Sequence, residues 1–110
     1  MIATAEARST IVAIASSTAP ASRGIVRIAG DDAVSVLQAM SARMDWPQRQ
    51  PRSAFRSDVE LNLEPPLGVV PATALIWPGT QSYTGSPSVE LHCYGSVPIL
   101  EAIVAAAVRA

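Results

Sequence analysis

The chain has 110 residues and no lysine; its eight basic residues are all arginine. It also lacks any Gly-x-x-x-x-Gly-Lys-Ser/Thr segment. Phosphate-binding by a P-loop needs that backbone cradle and its lysine, so nucleoside triphosphate hydrolysis is not expected of these residues. A single cysteine, Cys93, excludes an internal disulfide and fits a reducing, cytosolic setting. The single histidine, His92, sits beside it. On a strand, adjacent side chains point to opposite faces, so the two cannot serve as nucleophile and base. Metal binding lacks a second His or Cys. Ser82 has no G-x-S-x-G setting and reads as a loop serine. No catalytic residue is assigned.

Charge is also scarce. Charged residues make up 15% of the chain and the net charge is −1. The arginines are scattered, so no strong nucleic-acid surface is expected. Weak self-repulsion makes association easier. Long apolar runs are missing too. Ile11 to Ala15 is short for a signal peptide. Ile99 to Val108 is broken by Glu101 and is about half a membrane span, so it reads as a core helix.

What remains suits one globular domain. Apolar residues are 49% of the sequence, enough for one core in a chain of this length. Residues 1–9 are expected to be a loose leader. Thr10 to Ala15 (TIVAIA) and Gly24 to Ala29 (GIVRIA) read as strands, with Ile25 and Arg27 on one face and Val26 and Ile28 on the other. Gly30-Asp31-Asp32 should open a helix, an Asp capping free N–H groups, with Val34, Leu37, Met40 and Met44 as its buried stripe. Trp46-Pro47 should end it. Ala54 to Leu63 alternates apolar and polar residues and predicts a strand with one wet face. Glu64-Pro65-Pro66 turns the chain. Ala72 to Trp77 and Ser88 to Tyr94 read as further strands, joined by a polar loop from Pro78 to Pro87. Gly95-Ser96 should cap a final Ala-rich helix with Pro98 in its first turn and Ile99, Leu100, Ile103, Val104, Ala107 and Val108 on its apolar face. The order β-β-α-β-β-β-α implies an α+β fold, a mostly antiparallel sheet with helices on one face.

Three places carry possible chemistry. Arg27 lies in an otherwise apolar strand. It is either a sheet arginine paired with a carboxylate or a planar donor for an anionic or carbonyl ligand group. Glu90 is either a solvated residue, or Arg27's partner, or an acceptor of two parallel hydrogen bonds from a ring N–H and its adjacent amino group. Tyr83 belongs either to a plain hairpin connection or to a flat wall for a ring-shaped ligand.

The same segments resemble a known family. Pro78 to Leu100 (PGTQSYTGSPSVELHCYGSVPIL) is similar to P-x-S-[YF]-T-G-E-D-x-[VL]-E-[IL]-x-x-H-G-G followed by a helix. Ser9 to Ala13 (STIVA) is similar to D-T-I-V-A, and Gly24 to Gly30 (GIVRIAG) to G-I-[LV]-R-[IL]-S-G. These are motifs of the N-terminal domain of the TrmE/MnmE tRNA-modification GTPases. The resemblance implies a fold like the tetrahydrofolate-binding aminomethyltransferase domains and a homodimer built through this domain. It implies a 5-formyl-tetrahydrofolate-type one-carbon carrier as ligand, with Arg27 and Glu90 at the folate site and Tyr83, Thr84 and Gly85 as its S-[YF]-T-G loop. It assigns GTP, magnesium and potassium to a G domain which, with the helical domain, lies outside this chain. A flavoprotein partner and wobble-uridine modification of tRNA complete what it implies. The sequence departs from the motifs at Ala19 to Arg23, a shorter loop lacking the family's glycines, at Ser86-Pro87 in place of an acidic pair, and at Tyr94-Gly95-Ser96 in place of H-G-G. These departures suit an alternative, a purely structural dimerisation module. A stand-alone folate-dependent transferase is a third possibility, opposed by the lack of an obvious base or nucleophile.

Overall fold

A computed structural model describes residues 4–7, 10–15, 21–45, 53–79 and 86–110. Within them the order is β1 (Thr4–Ala7), β2 (Thr10–Ile14), β3 (Ala21–Ala29), α1 (Ala33–Met40), β4 (Ser41–Met44), β5 (Phe55–Asn62), β6 (Val69–Trp77), β7 (Ser88–Gly95) and α2 (Val97–Arg109). The strands form one seven-stranded sheet in the order β1-β2-β3-β7-β6-β5-β4, and every pairing is antiparallel. Sequence neighbours pair through hairpins on each side, and β7 joins the two sides by lying between β3 and β6. The expected α+β class holds.

Both helices pack on the same face. α2 contacts β1, β2, β3, β7 and α1, while α1 contacts β7 and β4. Beneath them lie the inward residues of alternating strands: Val12 and Ile14, Val26 and Ile28, Val89 and Leu91, Ala74 and Ile76, Val59 and Leu61, all buried. The helices supply Val36, Leu37 and Met40 from α1 and Leu100, Ile103 and Ala107 from α2. Each Val, Leu, Ile or Met side chain so buried contributes about 1.5–3 kcal/mol of transfer free energy, and each Ala less. At Gly24 α2 comes close to the sheet: a Cβ there would lie 2.7 Å from Leu100 Cδ2 and 3.1 Å from Gly95 Cα. A strand residue with no side chain is what lets the helix settle over β3 and β7.

Several expectations need correction. The leader is not wholly loose, because Thr4–Ala7 is strand β1, paired with β2 from Thr4↔Ala13 to Ala7↔Thr10. The first helix stops at Met40, four residues short of Met44. Ser41 turns extended (φ −97°, ψ 130°), its Oγ donates to Leu37 O at 2.7 Å, and Ser41–Met44 pairs with β5. The i+4 spacing of Met40 and Met44 mimicked a helix, but strand pairing with β5 outweighs local propensity there. Asp32 is the N-cap residue yet makes no side-chain cap bond. Its own backbone N–H donates to the buried Thr10 Oγ1 at 3.0 Å, which ties the helix start to β2. Gly30 has φ 137°, a conformation that favours glycine at this strand-to-helix turn. β6 begins at Val69, earlier than Ala72, and Val108 of α2 is 41% exposed instead of core.

Candidate functional site

The face away from the helices has a different composition. Register alone brings its residues together. Arg27 lies directly across from Glu90, and Glu90 across from Leu75; Ile25 faces His92, and His92 faces Thr73. Asp58 on β5 lies opposite Thr73. Arg27 and Glu90 are 63 residues apart in the chain, yet Arg27 Nη2 donates to Glu90 Oε2 at 2.7 Å and its Nε to the same oxygen at 3.3 Å. His92 Nε2 lies 3.2 Å from the other oxygen, Glu90 Oε1. The side chains of Arg27, Glu90 and His92 are 33%, 13% and 20% exposed, so the group is partly desolvated but open to the outside. In such a setting charge-assisted hydrogen bonds hold geometry better than at a fully wet surface.

Next to this group is an open depression of about 490 Å³ across β5, β6 and β7, with Arg23 and Arg43 among its lining residues. His92, Thr73, Tyr94, Asp58 and Glu60 line it too; Arg27 and Glu90 do not. That volume suits a small organic ligand. Its charges are mixed: Asp58 is engaged by Arg56 at 3.4 Å and by Thr73 Oγ1 at 3.5 Å, and Arg43 lies across from Glu60 in register. Ser88, two positions before Glu90, is buried, and its Oγ has no hydrogen-bond partner among the described residues. Among the described residues no group of three or more His, Cys, Asp or Glu could hold a metal ion, and no helix is long and apolar enough to cross a membrane.

Of the five residues expected at a site, Arg27 and Glu90 come into direct contact. Tyr83, Thr84 and Gly85 lie outside the described residues. Sequence reasoning passed over His92, having weighed it only as a nucleophile's base or a metal ligand. The signal was present: positions 90 and 92 share a strand face at the period of two. Cys93 points the other way, into the core, where burial pushes its thiol up to about 11. It is neutral at physiological pH and contributes packing, not reactivity.

Comparison with known proteins identifies a family. The family model described as "GTP-binding protein TrmE N-terminus" matches residues 10–110. The tRNA modification GTPase MnmE of Rhodopirellula baltica is 47% identical over 107 residues, covering 97% of this chain and 23% of that protein. The protein of the same name from Rhodopseudomonas palustris is 34% identical over 97 residues, covering 88% of this chain and 20% of its own length. That from Syntrophus aciditrophicus is 30% identical over 105 residues, 93% of this chain and 22% of its own. The chain therefore spans under a quarter of the length of these curated relatives. From its second strand to its last helix, the chain belongs to the TrmE N-terminal family.

Proposed function

We propose that this chain is the N-terminal module of a tRNA-modification GTPase that binds a one-carbon tetrahydrofolate of the 5-formyl type and joins two copies of the protein. In this reading the parent protein acts with a flavoprotein partner on the wobble uridine of tRNA. The module holds the one-carbon carrier while nucleotide hydrolysis occurs in another domain. Its fold is then of the kind found in tetrahydrofolate-binding aminomethyltransferases.

One observation carries the reading. The arginine and glutamate of the two family motifs, far apart in the chain, lie side by side on the helix-free face of the sheet. A carboxylate is the acceptor that the parallel ring N–H and amino donors of a pterin's pyrimidinone edge require, and Arg27 and His92 fix where that carboxylate stands. The dimer half of the reading is supported by membership of the TrmE N-terminal family alone.

Titration of the folded protein with 5-formyl-tetrahydrofolate, together with analytical ultracentrifugation, tests both halves. Saturable binding by a dimer is expected. A folded dimer that takes up no ligand at millimolar concentration supports the second reading, a structural dimerisation module. The replacement of the family's acidic pair by Ser86-Pro87 favours that alternative. A monomer at micromolar concentration overturns the dimer in both.

A further inference from the structure

The depression on the open face is charged unequally across its width. On its β3–β7 side stands Arg23, exposed and in no ion pair among the described residues. No acidic residue of β3 or β7 lines the depression. On its β5 side three acids line it, Asp45, Asp58 and Glu60. Two arginines oppose them: Arg56 reaches Asp58 Oδ1 at 3.4 Å, and Arg43 lies across from Glu60. One negative charge is left in excess there, facing one positive charge that stands alone. Between the two sides Pro71 and Ala72 of β6 also line the depression and give it an apolar middle.

This layout selects a kind of ligand. A concave site with low-dielectric walls focuses such a field more than a flat surface does. The sides lie three strand spacings apart, from β3 past β7 and β6 to β5, roughly 14 Å at the backbone. The long Arg23 side chain spans part of that distance. The gap that is left takes a molecule whose charged ends are separated by a short chain. A polyanion would meet the three acids, and a polycation would meet Arg23.

We propose that the depression binds a small dipolar molecule, its carboxylate against Arg23 and its ammonium against the acids of the β5 side, the two joined by a short apolar chain as in an ω-amino acid. The inference is independent of the folate reading, because neither Arg27 nor Glu90 lines the depression.

The test uses 6-aminohexanoate, with hexanoate and hexylamine as controls that each carry one of its charges. Each is titrated into the isotope-labelled chain and followed by amide NMR shifts. The dipolar probe should saturate at millimolar concentration and move the amides of Thr73, His92 and Tyr94. It should bind about fivefold more tightly than either control, the upper size of one exposed ion pair. Raising the salt concentration should erase that difference. Arg23→Gln should bring 6-aminohexanoate down to the level of hexylamine, and Asp45→Asn should bring it toward the level of hexanoate. Both positions are exposed, so both variants should keep the fold. Arg23→Glu should reverse the order, with hexylamine binding more tightly than 6-aminohexanoate. Equal binding of all three probes by the unaltered chain overturns the inference. So does a lack of saturable binding of 6-aminohexanoate, or an affinity that Arg23→Gln does not move. Either result leaves the folate reading where it stood.

Discussion

The two faces of the sheet follow different rules. The helix-covered face is mainly aliphatic: Val26, Ile28, Val89, Leu91, Ala74 and Ile76 are alike in kind, and each is buried. The opposite face is heterogeneous, with Arg27, Glu90, His92, Thr73 and Asp58 set among Ile25 and Leu75. The first face holds the fold together through area removed from water, a non-directional force that tolerates exchange of one aliphatic residue for another. The second depends on particular atoms at particular distances, where exchange of one residue type changes the chemistry. Substitutions on the first should therefore change stability and leave ligand affinity alone, and those on the second should do the reverse.

The largest expected effect sharpens that contrast from the covered side. Leu91→Ala, at the centre of the sheet, should cost about 2–5 kcal/mol in urea unfolding, from lost transfer free energy plus a cavity. Gly24→Ala comes next, at about 1–3 kcal/mol, because the added methyl meets Leu100 and the Gly95 backbone. A stable Gly24→Ala protein would mean that α2 yields readily. On the open face, Glu90→Gln should lower folate affinity by about 1–3 kcal/mol while moving the unfolding free energy by less than Leu91→Ala does. A larger loss of stability than of affinity would break the distinction between the faces. Cys93 gives a titratable probe of the covered side. Its folded-state thiol is raised to about 11 from an ordinary 9.0, so the folded protein keeps a proton that the unfolded chain loses between those values. Its contribution to stability is present below pH 9 and lost as pH rises through 11, and Cys93→Ala should flatten that fall. At pH 8 the native thiol should alkylate roughly a hundredfold more slowly than the same thiol in denaturant. Smallest of all is Arg56→Ala: its pair with Asp58 is two-thirds exposed on both sides, and stability should move by no more than about 0.5 kcal/mol.

The covered face was the more legible of the two in the sequence. Alternation from Phe55 to Leu63 and from Val89 to Cys93 picks out its inward residues, since period two is a property of single strands. The first helix was overextended because Met44 sits at helical spacing from Met40, and only the partner strand, Phe55–Asn62, decides that Ser41–Met44 is extended. The edge strand Thr4–Ala7 carries too short a signal to read alone and exists by pairing with its neighbour. On the open face, Arg27 and Glu90 were individually conspicuous as charges between aliphatic residues. Their contact depends on register across strands distant in the chain, which no local pattern encodes. His92 was harder still, because its relevance lies in Glu90's second oxygen and in the depression, and both are features of the assembled sheet.

The central place of the last strand sets the order in which this protein can take shape during synthesis. Before residues 88–95 leave the ribosome, the strands already made belong to two groups, β1-β2-β3 and β4-β5-β6, that share no pairing in the finished sheet. Each can form early from local contacts, since short loops close cheaply. Neither half alone contains the ion-paired carboxylate. The seventh strand pairs with both groups, so the pairing that joins them is also the pairing that sets Glu90 beside Arg27. A molecule without residues 88–95 has neither the central strand nor Glu90, so if the folate reading holds, ligand uptake requires the closed sheet.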